Sequence, residues 1–304
     1  MTLKVENEQT KYKNPGVLAL VGGITAGVAT GLTALTPHKH FSPKLLQGLK
    51  DVNDSLTQDQ FESLQTGIKT AFDKSKLASK GVSILRATGE NSEEVSQAML
   101  SQFNKGLFKF YPKESKEFIS SLFGNIIENG DNACYVDAAK KIVLPETKLN
   151  LAFFHEAGHA INANMSVFGK ILQQCRPMAL LALPIALIAL LKTKKAPGEK
   201  PKNKLDAAGD FVKNNAGKLT LAAFAPMLIE EGLATIKGNK LAKEVLNPEL
   251  ASKVAKSNAY GYGTYALLAL GISAGIFIAT KIKDAIASRK AVKTEKTEKL
   301  DKAA

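Results

Sequence analysis

Histidine and cysteine are scarce in this chain of 304 residues, which has four of the first and two of the second. Two cysteines are too few for a disulfide framework, and neither Cys134 nor Cys175 belongs to a Cys-x-x-Cys pair, so neither is counted as a metal ligand. No phosphate-binding Gly-x-x-x-x-Gly-Lys loop occurs, which argues against an ATP-driven machine. The formal charge is +13, yet no motif interleaves aromatic with basic residues, and no nucleic-acid partner is expected. Charge itself is missing from two long stretches. Residues 14–38 carry no acidic or basic side chain apart from His38, and residues 257–280 carry none.

Those uncharged stretches point to a membrane. Val17 to Leu35 is an apolar run of about the length that spans a bilayer, and Tyr265 to Thr280 is the apolar heart of a second. Glycines four apart, at Gly23, Gly27 and Gly31 and again at Gly271 and Gly275, open a face for close packing on another membrane helix. A cleaved signal peptide is the other reading of the first run, although its polar lead of sixteen residues is long for one. Between the two lie shorter segments, Pro177 to Leu191 and Leu219 to Ile229. As bare helices they measure about 22 Å and about 16 Å, less than a ~30 Å hydrocarbon core. They extend over flanking residues, enter as a hairpin without crossing, or serve as core helices.

The basic residues crowd beside these runs. Eight lysines lie between Lys192 and Lys218, and eight basic residues follow from Lys281 to Lys302, the pattern of cytoplasmic flanks on a membrane protein. With both clusters inside, the two short segments run inward and outward again. The expectation is an integral, multi-pass protein of two to four helices. Both termini are cytoplasmic, and residues 37–165 are extracytoplasmic on the same side as Glu231.

His155-Glu156-Ala157-Gly158-His159 is where chemistry enters. On a helix, positions i and i+4 lie one above the other, so both imidazoles reach one metal ion. Glu156 sits about 100° round the helix, wrongly placed for a ligand but suited to hold a water and take its proton. The uncharged flanks, Leu149 to Phe154 and Ala160 to Ala163, read as a buried helix. A hydrolytic zinc site needs a third protein ligand. Adjacent carboxylates at Glu230 and Glu231, inside the apolar stretch Leu228 to Thr235, are the best source, because a metal removes the cost of an unpaired charge there. Neighbouring helix positions diverge by about 100°, so one of the two is the ligand and the other has a supporting or solvent role.

This pair of motifs resembles the gluzincin class of zinc metallopeptidases, in which a second helix with a Glu-Gly-(Leu/Phe)-Ala or Glu-x-x-Ala-Asp pattern supplies the third ligand. Aligned on Gly232-Leu233-Ala234, that ligand falls on Glu231, with Glu230 the less favoured alternative. The order of apolar segments resembles the membrane-embedded members of the CAAX-prenyl endopeptidase and HtpX type, from which the chain departs at Thr235, where they carry aspartate. The resemblance covers the two motif helices and the segment order between them, not the first 130 residues. It implies one Zn2+ per chain held by His155, His159 and Glu231, with Glu156 as the catalytic base, and a peptide or protein substrate beside the lipid bilayer. The alternative is a membrane-anchored scaffold, zinc-binding or glycine-zippered, without catalysis. Tyr260, Tyr262 and Tyr265 are candidates for a second donor to the oxyanion, or members of an interfacial aromatic belt.

The expected fold is mainly α, a membrane-anchored helical protein with a small β-hairpin or edge strand beside the metal helix. Its parts are a tail and membrane helix (1–36), a helical subdomain (37–130), the hairpin and metal helix (131–165), and an apolar hairpin with a lysine-rich loop ending in the third-ligand helix (166–236). A linker and membrane helix (237–280) and a basic tail (281–304) follow. Within the helical subdomain, Thr57 to Gln60 and Asn91 to Glu94 read as capping boxes. His38 and His40 read as solvated surface residues. Ala133 to Val136 and Lys141 to Pro145 read as two strands round a polar turn, with Pro145 at an edge. The resemblance implies that 141–144 pairs with an extended substrate.

Overall fold

The computed structural model describes residues 42–104, 112–128, 130, 132–146, 150–195 and 198–301. The first expected membrane helix, His38 and His40 lie outside the described residues. The described chain is mainly helical, with one small mixed sheet, and it divides into two compact units.

One unit comprises Ser42–Pro177 and Pro226–Ala266. It begins with α1 (Ser42–Asp54) and α2 (Gln58–Lys74). Thr57 opens α2 through a complete capping box, its hydroxyl accepting from the Gln60 amide while the Gln60 side chain accepts from the Thr57 amide. Next come β1 (Ser83–Ala87), α3 (Ser92–Phe103) and α4 (Lys113–Glu128). The hairpin follows as β2 (Cys134–Val136) and β3 (Lys141–Pro145), then α5 (Phe153–Met165) and α6 (Val167–Cys175). The unit is completed by parts of two long helices, α9 (Ala216–Val245) and α10 (Pro248–Asp301). Asn247 caps α10 by accepting from the Leu250 amide at 2.9 Å, and Pro248 takes the first helical position, where its missing N–H costs nothing.

Strand order is β1-β3-β2, with β1 parallel and β2 antiparallel to β3. Alternation along β3 explains its place at the centre. Ile142 and Leu144 face a core with Leu64 and Ile68 of α2 and Phe153, Phe154 and Ala157 of α5, while Val143 faces a second core with Val95 and Met99 of α3 and Ile127 of α4. A strand that is apolar on both faces is buried on both. The sheet is thus a central layer, and α5 lies directly against it.

Three expectations are corrected here. The stretch 42–130 is not helical throughout, since β1 lies within it between Gly81 and Gly89. Asn91 caps no backbone amide of α3. Its side chain instead accepts from the Thr88 amide and donates to the Arg86 carbonyl, closing the turn after β1. The hairpin forms as expected, but Lys141 to Leu144 is no edge. Because β1 pairs with β3 and sets Pro145 opposite Ala87, β3 is central and the edges fall to β1 and β2, of which β2 is the one beside Glu156.

The other unit comprises Met178–Ala225 and the chain from Leu267. It holds α7 (Ala182–Leu191), α8 (Lys204–Asn214) and the remaining parts of α9 and α10. Its contacts set small residues against larger apolar ones. Ala189, Ala216 and Ile276 form the buried centre, and Gly217 lies against Phe277 and the Ser273 carbonyl. Lys283 donates to the Ala189 carbonyl, satisfying an otherwise open group at the end of α7, and Lys213 pairs with Asp284 at 2.9 Å. Within the lysine-rich loop, Lys192 and Lys195 pair with Asp206, and Lys195 with Asp210.

Among the described residues, three helical segments are long and apolar enough to cross a membrane: Val167–Leu191, Ala216–Val245 and Pro248–Ser288. The two short apolar segments therefore do extend over their flanks. The shortest, of 25 residues, is not one continuous α-helix, since α6 leads through a 3-10 stretch at Arg176–Leu181 into α7.

Candidate metal centre

Two glycines bring the halves of the site together. Gly158 of α5 lies against the main chain of Ala234, and Gly238 of α9 lies against the Phe154 carbonyl, so a Cβ at either position would overlap backbone. With no side chain between them, α5 and α9 pack backbone to backbone. Glu231, Ala234 and Gly238 are three and four residues apart and share one face of α9. The contact that closes the helices therefore also directs Glu231 at the histidines.

The donor atoms meet closely. His155 and His159 are stacked edge to face with ring centroids 4.6 Å apart, and their Nε2 atoms are separated by 3.0 Å. Glu231 Oε2 lies 3.1 Å from His155 Nε2 and 3.5 Å from His159 Nε2. A tetrahedral zinc ion with bonds of about 2.0–2.1 Å separates its donors by roughly 3.3–3.4 Å, and the three observed edges bracket that value. The group is buried, and it could hold a metal ion.

The neighbouring carboxylate turns the other way. Glu230 Oε1 lies 2.9 Å from His159 Nδ1, which makes Nδ1 the donor and leaves the Nε2 lone pair facing His155 and Glu231. The Asn162 and Gln173 amides donate to the same oxygen at 2.9 and 3.1 Å. Arg176 spans both acids. Its Nη1 donates to Glu230 Oε2 and its Nη2 to Glu231 Oε1, each at 2.6 Å. Each glutamate thus gives one oxygen to the guanidinium and the other to the histidines, and the fork of Arg176 fixes the two side chains in divergent directions. Thr235 Oγ1 lies 3.3 Å from His155 Nδ1, a longer contact at the position where the resemblance leads one to expect aspartate.

Glu156 points towards the sheet. Its Oε2 accepts the Tyr135 amide of β2 at 2.6 Å. Burial raises its pKa above the ordinary carboxyl value, an effect His159 and His155 oppose in part. Burial by itself favours neutral His159, but Glu231 and then Glu230 outweigh it and push its pKa up to about 10. Tyr135 is held on its other side by Asn164, whose amide donates to the phenol at 2.7 Å, while burial pushes the phenol up to about 12.

The structure brings His155, His159 and Glu231 together, sets Glu230 behind His159, and leaves Glu156 beside β2. Of the three tyrosines, Tyr260 packs on Gly48 in the helical core and Tyr262 lies near Gly232. Tyr265 lies within electrostatic range of Glu231, Arg176 and Glu156. Cys134 and Cys175 are both free thiols. Sequence reasoning missed Arg176, Asn162 and Gln173. A polar ladder was visible for one of them, since Asn162 follows His155 and His159 at helical spacing. Comparisons with protein-family models, curated proteins and solved structures find no match.

Proposed function

We propose that this chain is a zinc-dependent membrane metalloendopeptidase. The observation that carries the reading is the set of 3.0, 3.1 and 3.5 Å separations among His155 Nε2, His159 Nε2 and Glu231 Oε2, which matches three corners of a zinc tetrahedron. When bound, the ion supplies Lewis acidity to a water and to a peptide carbonyl.

The remaining work falls to the chain. Glu156 has one oxygen on the Tyr135 amide, which fixes its orientation, and its other oxygen accepts a proton from the water and returns it to the departing amine. Burial raises its pKa above the ordinary carboxyl value, which makes it a stronger base towards the water. Glu230 and Arg176 hold the ligands without touching substrate. The outer edge of β2, beside the Tyr135 amide that Glu156 already takes, receives an extended peptide by strand addition, the role that the resemblance implies for 141–144. The membrane setting rests on the three long apolar helices, with the site on the extracytoplasmic side.

The test uses full-length protein in neutral detergent. One zinc per chain is expected, with cleavage of an unfolded protein that disappears in Glu156→Gln while the metal stays. A metal-loaded wild type that cleaves nothing, or a Glu156→Gln protein that cleaves at the wild-type rate, overturns the proposal.

A further inference from the structure

We infer that this site selects substrates with acidic side chains next to the cleaved bond, through a basic cleft beside the metal group; the inference rests on the peptidase reading. The cleft has a volume of about 1100 Å³ and lies within the site-bearing unit. Lys80, Lys140 and Lys170 line it against a single carboxylate, Asp137. All three lysines are exposed. Lys140 donates to the Lys80 carbonyl at 2.8 Å, which anchors that ammonium without neutralising it. No carboxylate pairs with Lys80 or Lys170 among the described residues.

Two side chains join the cleft to the chemistry. Gln173 lines it and donates to Glu230 Oε1 at 3.1 Å and to the His159 carbonyl at 3.2 Å. Asn164 lines it and holds the hydroxyl of Tyr135, whose amide holds Glu156. The open strand β2 ends at Val136, and the next residue, Asp137, is already a wall of the cleft. An extended peptide laid along β2 advances about 3.3 Å per residue, so it enters the cleft within about two or three residues of the position beside Glu156. There its carboxylates meet three ammonium groups and one opposing charge, while lysine or arginine is repelled.

The experiment compares three peptides of one cleavable core, flanked by Asp-Asp, Asn-Asn or Lys-Lys, on zinc-loaded full-length protein in neutral detergent. Cleavage gives kcat/KM, and fluorescence anisotropy on Glu156→Gln gives binding without turnover. The acidic peptide should exceed the basic one by about tenfold or more in both, with the gap shrinking in high salt. In Lys80→Glu/Lys170→Glu the order should reverse, and stoichiometric zinc in that variant reports an intact centre. Equal cleavage of all three peptides, or an order unchanged by the double reversal, overturns the inference and leaves the peptidase reading standing. Acid-selective binding with no cleavage of any peptide overturns the peptidase reading and supports the cleft. If the double reversal abolishes binding to anionic-lipid nanodiscs and leaves peptide preference untouched, the cleft serves lipid headgroups and the inference fails.

Discussion

Replacing Glu230 by glutamine removes one charge and almost no volume, and the structure says where that change is felt. Four donors converge on the Glu230 carboxylate: His159 Nδ1, the Asn162 amide and the Gln173 amide on one oxygen, and Arg176 on the other. Among the described residues all four of these partners donate to it. A glutamine NH2 set against any of them loses a hydrogen bond in a place with no exposure to solvent, and the one relief at hand is a flip of Asn162, whose Oδ1 is buried without a partner. An unmatched buried donor costs about 1–3 kcal/mol of stability. His159 loses a charged partner at Nδ1, and outer partners of metal-bound histidines are worth about 10–100-fold in affinity. Glu230→Gln should thus weaken zinc binding by about 1.4–2.7 kcal/mol while still binding one ion per chain. Glu231→Gln removes a donor from the triangle itself and should drop zinc below stoichiometric under the same conditions. Chelator competition gives the affinities and elemental analysis the stoichiometry. Wild-type affinity in Glu230→Gln refutes the assignment of Glu230 to His159, and loss of the metal in Glu230→Gln but not in Glu231→Gln shows that the two acids have been exchanged.

Other consequences follow from the same geometry. Gly158→Ala drives a methyl group into the Ala234 main chain and should cost about 1–3 kcal/mol and part of the bound zinc, read as a lower Tm and lower metal content; Gly271→Ala, with nothing near it among the described residues, should leave both unchanged. Protonated His159 stabilises the metal-free fold fully below its unfolded pKa of about 6.5, and that contribution is lost as pH rises through about 10. Zinc must expel this proton, so calorimetry at about pH 7 in buffers of different ionisation enthalpy should register about one proton released per ion, with affinity rising about tenfold per pH unit; zinc uptake without proton release contradicts it. Lys200→Cys, with both native cysteines replaced by serine, should react with an impermeant thiol reagent only from the cytoplasmic side, and labelling from outside in intact cells refutes the orientation.

What was legible in the sequence is what depends on neighbours in sequence. His155 and His159 are read from one helical turn, and the carboxylate pair stands out because charge is rare inside an apolar run. The hairpin was visible from its β-branched residues and polar turn. The choice between Glu230 and Glu231 rested on a resemblance, because adjacent helix positions look alike until something opposes them. What opposes them is Arg176, 54 and 55 residues away in sequence, an arginine that reads by itself as a snorkelling residue beside an apolar segment. The edge strand failed for a related reason. Whether β3 is open or central depends on β1, a five-residue strand whose apolar positions at Ile84, Leu85 and Ala87 gain meaning only from the two cores that they meet. Under the proposed function, that placement moves the peptide-binding edge from the strand that is apolar on both faces to the short strand whose Tyr135 amide already holds Glu156. The substrate strand and the proton-transferring carboxylate then share one residue, so a change at Tyr135 that displaces its amide should impair substrate binding and proton transfer together.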